Sequence, residues 1–228
     1  MIYAFLTAVL ALLVYFPSLW VRYQMHRHHR EIDSMPGTGG ELAEHLITRF
    51  ELDGVEVEQA AEGVDHYDPV AKKVRLSPSN FDGKSITAVA VAAHEVGHAI
   101  QFHRNERISQ LRSKYIPRAM LMKKAGILLL TLLPIAGLVI KSPAAIFALI
   151  ALSIGLQLLG ALAYLIVLPE EWDASFHKAM PILAEGNYLE DSQLPAARKV
   201  LKAAALTYFA GALADVVNIG RWLLVLRR

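Results

Sequence analysis

The chain has 228 residues, 54% of them apolar, with a mean hydropathy of +0.36 and a formal net charge of +2. An ordinary soluble domain is about 45–50% apolar, so the long apolar runs have to be weighed against a bilayer first. The near-neutral charge argues against nucleic acid as a partner, and the absence of cysteine excludes disulfides, thiolate metal ligands and a cysteine nucleophile together. Any metal must be held by histidine and carboxylate.

Residues Ile2–Trp20 are nearly uncharged and, at 1.5 Å per residue, long enough to cross a hydrocarbon core of about 30 Å. Nothing basic precedes this run, whereas Arg22, Arg27 and Arg30 follow it. It is therefore expected to be an uncleaved anchor with its C-terminal end in the cytoplasm, not a signal peptide. His26-Arg-His-His-Arg30 reads as a juxtamembrane basic segment facing anionic lipid rather than as a metal site. After a turn-rich linker at 35–40, Leu42, Leu46, Ile47 and Phe50 recur at helical spacing within Glu41–Glu51. Val55–Val57 and Lys73–Ser77 alternate apolar and polar and read as two short strands, with a turn expected at Asp65-His-Tyr-Asp-Pro69. Ser85 is a good N-cap for an apolar helix from Ile86 to Phe102.

Two further apolar runs, Ala125–Ile140 and Pro143 to about Leu168, are separated only by Lys141 and Ser142, which suits an antiparallel hairpin with Pro134 kinking its first arm. Arg112, Lys114, Arg118, Lys123 and Lys124 precede the hairpin, so both flanks of the 21–124 segment are expected on the cytoplasmic side. A fourth run, Ala203–Leu226, is interrupted by Asp215, Asn218 and Arg221. It reads as spanning or half-spanning, with the polar groups bonding inside a bundle. The expected organisation is an anchor (1–21), a cytoplasmic region (22–124), a transmembrane hairpin (125–168), a region supplying a further metal ligand (169–202) and a membrane or interfacial helix (203–228).

Within the helix that Ser85 begins lies His94-Glu95-Val96-Gly97-His98, an H-E-x-x-H pattern. Residues four apart on an α-helix are offset by about 40°, so both imidazoles can converge on one ion, while Glu95 points off that axis toward a metal-bound water. Gly97 is expected to leave the helix surface open between the ligands. Val89–Ala93, Ala99 and Ile100 should bury the helix and keep the site partly dry. A catalytic zinc takes three protein ligands and keeps one position open. The metzincin continuation is excluded by Gln101 and Arg104, and His103 lies about 140° around the helix from His98. The third ligand should therefore come from Leu168-Pro-Glu-Glu-Trp-Asp-Ala-Ser175, which emerges on the same cytoplasmic face. Spacing does not separate Glu170, Glu171 and Asp173. Candidate oxyanion or substrate-binding groups are His66, Tyr67, His103 and His177, for each of which a structural hydrogen bond is the plainer reading.

These residues resemble the YugP-type neutral zinc metallopeptidases of bacterial membranes. The likeness rests on Asp65-His-Tyr-Asp-Pro69, Leu76-Ser-Pro78, the block from Val91 through Ala-Ala-His-Glu-Val-Gly-His-Ala-Ile-Gln101, and Leu168–Ser175. More distantly the chain is similar to the HtpX group of gluzincins, whose third ligand is the glutamate of an E-x-x-x-D motif. That correspondence implies Glu171 as the ligand. The motif's aspartate falls at Ser175, a departure that leaves Ser175 or Asp173 to hold a ligand histidine. The resemblance also implies that the strand near Lys73–Ser77 is an active-site edge to which a peptide could add.

The expectation is thus a mainly α, integral membrane protein with three or four membrane helices and a small α+β zincin-like insert. It would sit multi-pass in a bacterial cytoplasmic (inner) membrane and use Zn2+ to hydrolyse a peptide or membrane-protein substrate, with Glu95 as general base. The rival expectation is a non-catalytic membrane scaffold in which a fourth protein ligand closes a structural zinc site.

Overall fold

The computed structural model describes residues 2–212, with side chains described from residue 15 onward. The elements in chain order are α1 (Ile2–Arg27), α2 (Gly39–Arg49), β1 (Glu56–Gln59), β2 (His66–Asp68), β3 (Lys73–Leu76), α3 (Pro78–Phe81) and α4 (Ile86–His103). They continue with α5 (Ser109–Val139), α6 (Pro143–Asp173), a π-helical turn (Ala174–Ala179), α7 (Met180–Glu185) and α8 (Leu194–Ala205). The protein is mainly helical with one small sheet.

Two compact units result. One comprises Leu19–Gln110 and Pro169–Thr207, the other, among the described residues, 2–18, Leu111–Leu168 and 208–212. In the first unit α4 is the central rod, buried without a break from Thr87 to Gln101. Ser85 caps it as expected, its hydroxyl accepting from the Ala88 N–H at 3.1 Å. Its alanines keep the rod thin, and α2, the sheet, the π-turn, α7 and α8 all pack against it. The amphipathic α2 starts two residues before the expected position because Thr38 and Glu41 form a capping box. Its Leu42, Ala43 and Leu46 join Val74, Leu76, Val89, Val96, Leu183 and Leu201 in the core.

The sheet order is β1-β3-β2, with β1 parallel and β2 antiparallel to β3. This corrects two expectations. Residues 66–68 form a strand rather than a turn, because the two aspartates place their oxygens on the loops and leave the intervening backbone to pair. Asp68 Oδ1 accepts from the N–H groups of Val70 and Ala71, both at 3.0 Å, and Asp65 Oδ1 accepts from Ser77 N at 2.7 Å. Second, β3 is the central strand, paired on both sides, so a peptide cannot add to it; the free rims are those of β1 and β2. Val74 and Leu76 face the core while Lys73 and Arg75 face out, where Arg75 bonds Glu58 and Asp68, each at 2.5 Å. Hydrogen bonds from Lys73 and Arg75 hold the Glu58 carboxyl below its ordinary range, a surface effect of small worth.

In the second unit α5 and α6 are long and apolar enough to cross a membrane, with the break at 140–142 where the hinge was expected. Helix α5 starts well before its apolar stretch and continues through Pro117 and Pro134. Leu128, Leu138, Val139, Phe147 and Leu162 point outward, an apolar exposure that lipid would cover. Where the two helices meet, a Cβ on Gly126 would lie 2.7 Å from the Ser153 carbonyl oxygen, so only glycine permits the contact, and Ser153 Oγ donates to the Gly126 carbonyl at 2.6 Å. Two membrane-length helices are thus present among the described residues. The expected first anchor is helical as part of α1, but most of its side chains lie outside the described residues. Of the expected fourth run, Ala203–Ala205 instead ends the buried α8, residues 207–212 are helical, and 213–228 lie outside the described residues.

Candidate metal centre

The H-E-x-x-H spacing does on α4 what helical geometry demands. The His94 and His98 rings stand 4.7 Å apart, and both are buried. Across from them the end of α6 presents Glu171, 1% exposed. One carboxylate oxygen of Glu171, Oε2, lies 3.3 Å from His94 Nε2 and 3.3 Å from His98 Nε2. The ligand atoms of all three residues fall within 4.8 Å of one another.

The donors around this triad decide which ring nitrogens face it. Ser175 Oγ donates its single proton to the Leu201 carbonyl at 3.0 Å, so at 3.0 Å from His94 Nδ1 it can only accept. His98 Nδ1 lies 2.9 Å from Gln101 Oε1 and 3.7 Å from Glu170 Oε1, both acceptors. Each imidazole thus carries its proton on Nδ1 and turns an Nε2 lone pair toward Glu171. Lone pairs aimed at a carboxylate repel unless a cation lies among them. Zinc ligand atoms about 2.05 Å from a tetrahedral centre sit about 3.3 Å apart, the spacing of Glu171 Oε2 from each Nε2, so the residues present fit a zinc ion.

A sequence model of the family described as "Putative neutral zinc metallopeptidase" matches residues 3–227. The chain belongs to that family. It is also 32% identical over 226 residues, 99% of this chain and 96% of the other, to the "Putative membrane protease YugP" of Bacillus subtilis (strain 168). No solved structure matches it.

For this family member the structure brings together His94, His98 and Glu171, with Glu95 buried beside them on α4 (7% exposed). Glu170, which spacing could not separate from Glu171, instead turns toward the Nδ1 side of His98. Of the two residues proposed to replace the missing aspartate, Ser175 touches His94 directly. Asp173 stands one step back, accepting from Gln101 Nε2 at 2.8 Å and also bonded to Lys178. The remaining candidates do not join the triad. Tyr67 is buried in the core with its ring against Phe102, at 5.7 Å, and burial pushes its phenol up. His177 is exposed and bonds Asp173 Oδ1 at 3.1 Å. His66 sits half-buried on β2, and His103 is exposed at the end of α4.

Sequence reasoning missed Gln101. It had a legible signal, since a residue three after His98 returns to nearly the same helix face. It also misread Gly97, whose bareness admits a backbone rather than a ligand: a Cβ there would lie 2.9 Å from the Ala174 carbonyl oxygen. The close approach seats the π-turn, an element common at functional sites, beside the two histidines. Gly97→Ala is expected to cost about 1–3 kcal/mol by overpacking and to weaken zinc binding by moving Glu171 and Ser175 away from α4. Thermal melting with zinc titration checks both effects, and an unchanged affinity would refute the second.

Proposed function

We propose that this protein is a membrane-embedded zinc endopeptidase that hydrolyses peptide bonds with Glu95 as general base. The observation that carries the reading is the one Glu171 oxygen equidistant from two inward-facing Nε2 atoms. Zinc held by His94, His98 and Glu171 would supply Lewis-acid polarisation of a scissile carbonyl and of water. Glu95 lies next to His94, about 100° around α4, where it can take the proton of the attacking water. It then returns that proton to the amine as the C–N bond breaks and the new C–O bond is complete. The burial of all four residues excludes bulk water and strengthens these interactions.

The scaffold alternative needs a fourth protein ligand. Among the described residues no further histidine or acid completes the group that meets within 4.8 Å, which favours an open, catalytic position. The gluzincin assignment rests on Glu171 following from a later helix than the H-E-x-x-H pair. The partners proposed are a peptide or membrane-protein substrate and the lipid bilayer. The basic residues flanking 21–124 support a multi-pass placement in a bacterial cytoplasmic membrane with the site on the cytoplasmic side. The test is metal removal on the purified full chain. One zinc per chain is expected, with peptide hydrolysis abolished by chelation and restored by zinc; hydrolysis that survives complete chelation would overturn the reading.

A further inference from the structure

Gln101 is fully buried and every polar atom of its side chain is committed. Its amide nitrogen donates to the Glu170 carbonyl at 3.0 Å and to Asp173 Oδ2 at 2.8 Å. Both partners are pure acceptors, so both amide hydrogens are spent there and Oε1 alone faces His98 Nδ1, at 2.9 Å. Flipping the amide would set its oxygen against a carbonyl and a carboxylate, two repulsive contacts at once. Asp173 is in turn held by Lys178, whose ammonium also binds Glu106 Oε2 at 2.8 Å just past the end of α4. The orientation of one amide is therefore set from a charged cluster two bonds away from the triad.

We propose that Gln101 is a positioning residue that fixes which nitrogen of His98 carries the proton, turning the Nε2 lone pair toward Glu171. In ordinary zinc sites a carboxylate, carbonyl or water holds the outer nitrogen of a ligand histidine. Here a neutral amide with a locked orientation does so, and a neutral hydroxyl, that of Ser175, does so for His94. With a cation among the Nε2 lone pairs, the amide and the metal select the same nitrogen, so this inference rests on the metal reading of the site.

The test uses the full chain in detergent micelles with 15N-labelled histidine, the His98 signals being assigned by their loss in His98→Asn. In the zinc-loaded wild type, His98 is expected to carry its proton on Nδ1 and to bind through Nε2; binding through Nδ1 overturns the proposal without any variant at position 101. Gln101→Leu removes the acceptor and is expected to release His98 into a mixture of tautomers and weaken zinc binding roughly 10–100-fold in a chelator competition. Gln101→Glu keeps an acceptor toward Nδ1 but sets its second oxygen against the Glu170 carbonyl and Asp173, so it is expected to retain the tautomer at lower stability. Equal zinc affinity in wild type and Gln101→Leu, or the same tautomer mixture in both variants, would overturn it. A wild type that binds no zinc would instead defeat the metal reading and this inference with it, an outcome distinct from zinc bound through Nδ1.

Discussion

Glu95→Gln is expected to leave one zinc bound per chain and to lower peptide turnover by roughly 10²–10⁴-fold, the usual share of a general base. Glutamine keeps the shape and burial of Glu95, which is 7% exposed on a helix whose neighbours are all buried, so folding should be preserved. Glutamine cannot take a proton from water, however, nor return one to the departing amine. Measuring zinc and turnover on the same preparation separates the role of base from that of ligand. Turnover within a few-fold of wild type would sink the assignment, and loss of zinc would make Glu95 a ligand instead.

The second large effect distinguishes two adjacent acids. Glu171→Gln is expected to lose stoichiometric zinc, with affinity falling by more than the roughly 10–100-fold that outer partners of a metal site are worth. Its Oε2 is the atom both histidines face at 3.3 Å, and an amide there supplies no negative charge. Glu170→Gln is expected to keep zinc. Its carboxylate lies on the other side of the His98 ring, 3.7 Å from Nδ1, where an amide oxygen can still accept. A chelator competition on both variants reads the contrast. Zinc lost from Glu170→Gln and kept in Glu171→Gln would reverse the two roles.

Much of this site was legible because it sits on regular helix. A capped apolar run fixes α4, the period of 3.6 fixes the facing of His94 and His98, and charge bias around the apolar hairpin narrows the third ligand to a short acidic cluster. Spacing could go no further, because Glu170 and Glu171 differ by about 100° on a helix whose rotation is set by packing against α4. That rotation depends on Gly97 meeting the Ala174 backbone, a contact between residues 77 positions apart in sequence. The sheet was the harder part. The composition of Asp65–Pro69 is that of a turn, yet the aspartate oxygens satisfy the flanking loops and His66–Asp68 pair with β3. The central place of β3 likewise depends on a third strand that alternation alone did not reveal. Gln101 escaped notice because its role is visible only through its partners on the far side of the site.

One feature of the interior reaches beyond catalysis. The buried groups of the described chain include three carboxylates, those of Glu95, Glu170 and Glu171, and neither lysine nor arginine. Burying an ionised carboxylate away from water costs several kcal/mol even after relaxation. A dication at the triad offsets that electrostatic burden, so the folded state and the metal are linked by mass action. At free zinc 100 times the dissociation constant the gain is about 2.7 kcal/mol, and it vanishes as zinc falls below that constant. On the zinc reading the protein's own lifetime in the cell would be tied to zinc supply, since under scarcity the empty form would be the one that opens and meets other proteases.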